Sequence, residues 1–283
     1  MFFPNYSKPG KGVQKRDPNQ SEISVFFDIL PRKLWNLVKL NWLYLLTSIP
    51  FFAVTVIITG IATSPLINTL SQIVADSELV AALAFIDLVM RLILSVMFVA
   101  FWGIAPCATG FTYILRNYGH EEHCWFFSDY FERIKLNIKQ SLPLWITDLI
   151  VFYLIAVAMN YYISSSLYIM VFALSFATIV YTIMHMYIYQ MMITFDLKLT
   201  QILKNAFLLT FTVSIRNLLL LLITVGLHIV LPILIILYFQ NITAVVAIII
   251  LELCLLPALS GFTVNYFISP VLDKYVKKNP DAE

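Results

Sequence analysis

Charge is scarce in this chain. Only 12% of its 283 residues are charged and 60% are hydrophobic, whereas a soluble domain carries about a quarter charged residues. A water-soluble globular fold is excluded on that balance. The net charge of +2 gives no basis for a nucleic-acid partner. Glycine is also rare, with eight in all and two of them, Gly10 and Gly12, in the N-terminal stretch. No phosphate-cradling glycine loop can be built from them. The three cysteines, Cys107, Cys124 and Cys254, include no CxxC pair, so neither a disulfide framework nor a zinc site is indicated. Bases are missing altogether from the polar gaps at 63–78, 161–166 and 240–241.

The bases that are present are ordered. All 18 lysines and arginines except Arg91 fall in four groups, Lys8 to Lys39, Arg116 to Lys139, Lys198 to Arg216 and Lys274 to Lys278. Base-rich loops alternating with base-free ones are the positive-inside pattern of a chain that crosses a bilayer six times, with both ends in the cytoplasm. The cell membrane is the expected location, with anionic headgroups facing the basic loops. Apolar runs long enough to span as helices predict an all-α polytopic membrane protein with spans at about 37–61, 92–115, 142–163, 167–195, 218–238 and 242–267. The polar stretch 1–24, rich in Pro, Gly and Lys, reads as a disordered cytoplasmic tail and not as a cleaved signal peptide. Residues 279–283 form a short C-terminal tail, and 64–90 a semi-polar, partly helical outer segment.

Three stretches precede the odd-numbered spans: WNLVKLNWLYLL at 35–46, ERIKLNIKQSLPLW at 132–145 and LTQILKNAFLLTF at 199–211. Each sets a Lys and an Asn in an amphipathic run. The pattern predicts three hairpins, each led in by a helix lying in the plane of the inner leaflet; any positive-inside boundary would also hold such residues. In the loop 116–140, Phe127, Tyr130, Phe131, Ile134 and Ile138 recur at helical spacing with charges opposite. Asp129 and Glu132 resemble a capping box. Such an aromatic face rests on lipid or docks into a partner's groove.

At this loop the chain resembles a known family. NWLYLLTSIP at 41–50, GIAPCATGFTYILRNYGHEEHCWFFSDYFERIKLNIKQS at 103–141, LTQILKNAFLLTF at 199–211 and LPALSGFTVNYFISPVLDKY at 256–275 look like the YesL-like family of bacterial integral membrane proteins, typical of Gram-positive bacteria. The insertion at 64–90 departs from shorter members. The family has no established activity. Its genes often neighbour those for carbohydrate ABC transporters and glycoside hydrolases. The resemblance therefore implies an accessory or regulatory role beside a carbohydrate ABC importer, with its permease or ATPase as partner. Arg116, Phe127, Asp129, Phe131, Lys135 and Asn137 would then be the docking residues.

Four intramembrane polar residues stand out. His228 lies 12 residues before Gln240 and Glu252 lies 11 after Asn241. A tight antiparallel hairpin therefore sets the two at one depth. A carboxylate at mid-bilayer costs about 2.5–3.5 kcal/mol and needs a partner or a wet cavity. The pair reads either as a proton or cation relay or as a structural hydrogen bond. Asp148 and His185 form a looser pair across the preceding hairpin. Asp87 and Arg91, four apart with the acid first, pair at the outer end of span 2.

HEEHC at 120–124 is not HExxH and offers no third distant ligand. Met184, His185 and Met186 point about 100° apart on a helix and do not converge on copper. No metal or cofactor is expected. Nor does the sequence assemble a Ser-His-Asp arrangement or paired catalytic carboxylates, so an enzyme is not expected. An ABC permease would carry a Glu-Ala-Ala-type coupling helix with a following Gly, yet 196–216 has neither Glu nor Gly. A secondary transporter using His228 and Glu252 is the alternative to the accessory role.

Overall fold

The computed structural model describes residues 20–73 and 77–276, and every regular element among them is helical. Ten α-helices follow in order: α1 Glu22–Ile73, α2 Ser77–Trp102, α3 Ala105–His120, α4 Phe126–Ser164, α5 Tyr168–Thr194, α6 Leu199–Thr212, α7 Ser214–Val225, α8 Leu231–Phe239, α9 Ile242–Cys254 and α10 Leu256–Tyr275. A π-helical turn, Gly226–Val230, joins α7 to α8. Five helical segments are long and apolar enough to cross a membrane, and six if α9 and α10, bent by 47°, count as one broken span. The outward side chains agree: Ile169, Phe172, Leu222 and Leu237 are largely exposed. So much apolar surface is at rest only in hydrocarbon. The chain is an all-α polytopic membrane protein.

α1 runs antiparallel to α2 and then α3. Arg32 pairs with Glu121 at 2.7 Å, Thr59 bonds Ser95 at 3.0 Å, and Thr63 donates to Asp87 at 3.2 Å. Asp87 and Arg91 form the expected ion pair. α4 packs on α5 and α8 on α9, which completes three hairpins. At their centre lies α3, with 13 of its 16 residues buried, packed by α1, α4, α5 and α10. Such burial suits its polar sequence, since Thr109, Thr112 and Asn117 would be costly against lipid. α4 crosses α3 at Gly110, where a Cβ would lie 2.5 Å from the Tyr130 carbonyl oxygen.

The boundaries differ from the sequence expectation in instructive places. Helix begins at Glu22, so the last part of the expected tail is structured; residues 1–19 and 279–283 lie outside the described residues. Span 2, expected at 92–115, is broken between Trp102 and Ala105, and span 6, expected at 242–267, is broken at Leu255. Both breaks precede a proline, Pro106 and Pro257, which lacks the N–H a helix needs four residues on. The lead-in stretches are helical. Those before spans 1 and 3 continue unbroken into the spanning helices, while the third is the separate helix α6. Asn217 ends α6 by donating to the Leu209 and Thr210 carbonyls, 3.0 Å each. The Tyr187 hydroxyl in turn donates to the Asn217 side-chain oxygen.

Candidate functional site

The two proline breaks are repaired by side chains from other helices. Pro106 cannot donate to the Trp102 carbonyl, and the Tyr189 hydroxyl donates there instead at 2.5 Å. The Ile104 N–H, released at the same break, donates to the Tyr44 hydroxyl at 2.9 Å. Pro257 leaves the Leu253 carbonyl without its donor, and Asn41 Nδ2 fills that role at 2.8 Å. Irregular backbone inside a membrane protein survives only where it is satisfied in this way or lines a cavity. Gly103 turns the first break with φ +73°, and a Cβ on it would press to 3.2 Å from the Tyr189 ring.

Between the breaks lies a cavity of about 100 Å³, several times what one water needs. Tyr44, Trp102, Tyr189 and Phe111 supply aromatic wall, and His185, Gln190, Ser260 and Asn265 supply polar wall. Three lining residues carry buried polar atoms without a partner: His185 Nδ1, Gln190 Oε1 and Asn265 Oδ1.

Each expected histidine–carboxylate pair is formed, and the two flank this cavity. His228, on the π turn, sets Nδ1 at 3.1 Å from both oxygens of Glu252. Its Nε2 lies 2.9 Å from Oγ of Ser260, one of the residues that line the cavity. A π turn shifts the helical register by one residue and often marks a working site. On the other side His185 Nε2 lies 3.0 Å from Asp148 Oδ1. The Tyr181 hydroxyl donates to that same oxygen at 2.6 Å. The His185 ring stacks on Trp102 at 5.8 Å and 15°, and Trp102 Nε1 donates to Thr182 at 3.0 Å.

Glu252, His228 and Ser260 thus form the serine–histidine–acid chain that the sequence did not disclose. The three lie on separate helical segments, with Ser260 32 residues beyond His228, so no local motif announces them. A histidine set between a carboxylate and a hydroxyl is an arrangement that can relay a proton. Nucleophilic attack is less well served, because Ser260 sits within α10 with its hydroxyl also 3.2 Å from the Pro257 carbonyl.

Two further hollows adjoin the cavity. A vestibule of about 360 Å³ is lined by Glu22, Arg116, His120, Tyr266 and Ser269, and shares Asn265 with the cavity. It opens at the end of the bundle where the basic groups gather, with Arg216 3.3 Å from Glu22 and Lys33 over the Tyr118 ring at 5.2 Å. An apolar groove of about 300 Å³, with Trp42, Ile49 and Phe52, carries Glu252 on its wall and shares Val99 and Pro257 with the cavity.

The docking candidates divide between two faces. Phe127 is 64% exposed, Phe131 42%, and Lys135 is exposed. Tyr130, read with them as one aromatic face, is instead fully buried and bonds Thr47 at 2.7 Å. Asn137 donates to its own helix at Arg133. Arg116 lines the vestibule, 3.9 Å from Glu122. The expected capping box does not form. Helix α4 starts at Phe126, and Asp129 itself reaches back to accept the Trp125 N–H at 2.8 Å. Burial, then the nearby Asp129 carboxylate, raises the Cys124 thiol pKa against the lowering influence of Lys33. Of the HEEHC run, His120 bonds Ser269 at 2.8 Å, and no group of three metal-ligating side chains converges among the described residues. Compared with known protein families, curated proteins and solved structures, the chain gives no match.

Proposed function

We propose that this protein is a secondary transporter that moves a small polar solute across the membrane through the cavity between its broken helices. The carrying observation is the cavity itself: it lies where α2–α3 and α9–α10 are interrupted, and both histidine–carboxylate pairs flank it. Interrupted helices around a mid-membrane cavity are the usual construction of a transporter binding site, because the breaks release polar groups where a solute can meet them. Asn265 lines both the cavity and the vestibule among the basic residues, and in this reading the solute approaches from that face. By the positive-inside pattern that face is cytoplasmic. The Glu252–His228–Ser260 chain supplies a path for a coupling proton between groove and cavity.

The test is current in proteoliposomes on a solid support, on rapid addition of small amines, amino acids and sugars in turn. A solute-dependent current that is lost in Glu252→Gln, inserted at wild-type levels, is the expected result. Absence of current for every solute would overturn the reading.

A second reading, that of an accessory subunit of a carbohydrate ABC importer, draws support from the exposed aromatics Trp125, Phe127 and Phe131 at the start of α4. Its test is recovery of an ABC permease or ATPase in stoichiometric amount with the protein tagged ahead of Ser21. Loss of that recovery in Phe127→Ser/Phe131→Ser would support docking there.

A further inference from the structure

The apolar groove opens onto hydrocarbon and not onto water. It is walled along α1 by Trp42, Leu45, Leu46, Ile49 and Phe52, and on its other sides by Val96 of α2 and Leu253 of α9. Phe52 lies ten residues beyond Trp42, so the groove follows α1 for about 15 Å. Its one charged lining residue, Glu252, is engaged by His228, and its Ser48 is 3% exposed. The outer walls stay open: Trp42 is 45% exposed, Leu46 60%, Ile49 60% and Leu253 42%. Both α1 and α2 belong to the segments long and apolar enough to span a membrane, so lipid chains are the medium against these walls. Water finds too few polar partners in such a hollow, and an empty one forfeits the dispersion contacts of its whole lining. A hydrocarbon chain fills it without losing a hydrogen bond.

One end of the groove is equipped for a headgroup. From Arg32 and Lys33, which meet Glu121 and Tyr118 at the basic end, α1 runs through Lys39 to Trp42. Residues three or four apart share a helix face, so Trp35, Lys39, Trp42, Leu46 and Ile49 form one strip. Trp35 is 68% exposed and Lys39 is exposed, and the strip therefore continues past the groove as a lysine between two indoles. Tryptophans mark the level where membrane meets water, and a lysine there attracts anionic lipid. No acid among the described residues pairs with Lys39.

We propose that the groove binds one anionic phospholipid from the leaflet at the basic end, with its phosphate at Lys39 and an acyl chain along α1 from Trp42 to Phe52. Val99 and Pro257 line both groove and cavity, so the chain packs beside the break that precedes α10. The site stands independently of the transport reading.

The experiment is native mass spectrometry of the delipidated protein, titrated with phosphatidylglycerol, phosphatidylcholine or glycerol phosphate. A single phosphatidylglycerol should bind more tightly than phosphatidylcholine, and glycerol phosphate, which has no chain, should neither bind nor compete. Lys39→Gln should weaken phosphatidylglycerol about fivefold and leave phosphatidylcholine unchanged. Val96→Phe narrows the groove and should weaken both lipids. Lys135→Gln, on α4 and outside the groove lining, should change neither. Lys39 is exposed, so its variant should fold as the wild type does; if Val96→Phe does not fold, the Lys39→Gln comparison decides alone. Equal affinity for the two lipids would overturn the proposal. So would a preference that survives Lys39→Gln or is lost in Lys135→Gln, or full lipid affinity in a folded Val96→Phe. Competition by glycerol phosphate would assign the phosphate site to a free solute and remove the lipid as occupant.

Discussion

Proline and its distant donor form the unit that shapes this protein at the scale of single residues. Asn41 is wholly buried, and its amide replaces the N–H that Pro257 lacks. Asn41→Leu keeps the side-chain volume and strands the Leu253 carbonyl, so it should cost about 1–2 kcal/mol, measured by denaturant unfolding in mixed micelles. Gly110→Ala should cost more, about 1–3 kcal/mol. Its Cβ would meet a backbone oxygen, which has no rotamer to escape into. Cys124 offers a pH test. Its pKa is raised, so at any given pH below that value it holds less thiolate than a free cysteine does. Alkylation near pH 8 should be slower than for a model thiol, and the ratio should close as pH rises through the shifted pKa.

The hairpin is the scale at which sequence was most informative. A tight turn near 240–241 fixes the depth of everything on either side of it, and so His228 and Glu252 could be matched by counting. The same reasoning found Asp148 and His185. Counting along one hairpin says nothing of a third helix, which is why Ser260, Gln190 and Asn265 did not stand out. The breaks were signalled by Pro106 and Pro257 inside apolar runs. Hydropathy, however, measures composition and not continuity, so each span was read straight through. Tyr130 illustrates the same limit, because periodicity gives a helix its faces but not which of them meets α3. At the π turn, Gly226 has ordinary helical dihedrals and open space beside it. Gly226→Ala should leave stability unchanged or raise it by up to about 1 kcal/mol, seen as a higher unfolding midpoint. Phe127→Ser/Phe131→Ser removes exposed rings only and should shift stability by less than about 0.5 kcal/mol.

Over the whole molecule, the described basic clusters converge at one end through Arg32–Glu121, Arg216–Glu22 and the Lys33–Tyr118 contact. Arg91 stays apart, held by Asp87 near Gly60. The same end carries the vestibule, which shares the lining residue Asn265 with the cavity. The transport proposal needs a polar route, open to water from the basic face, that ends at the two histidine pairs. The direct test is Asn265→Cys in a background with Cys107, Cys124 and Cys254 replaced. A membrane-impermeant thiol reagent is applied to sealed vesicles of each orientation. Labelling from the basic face alone is the predicted result. No labelling from either face would mean that the cavity is sealed, and would contradict a solute path through it.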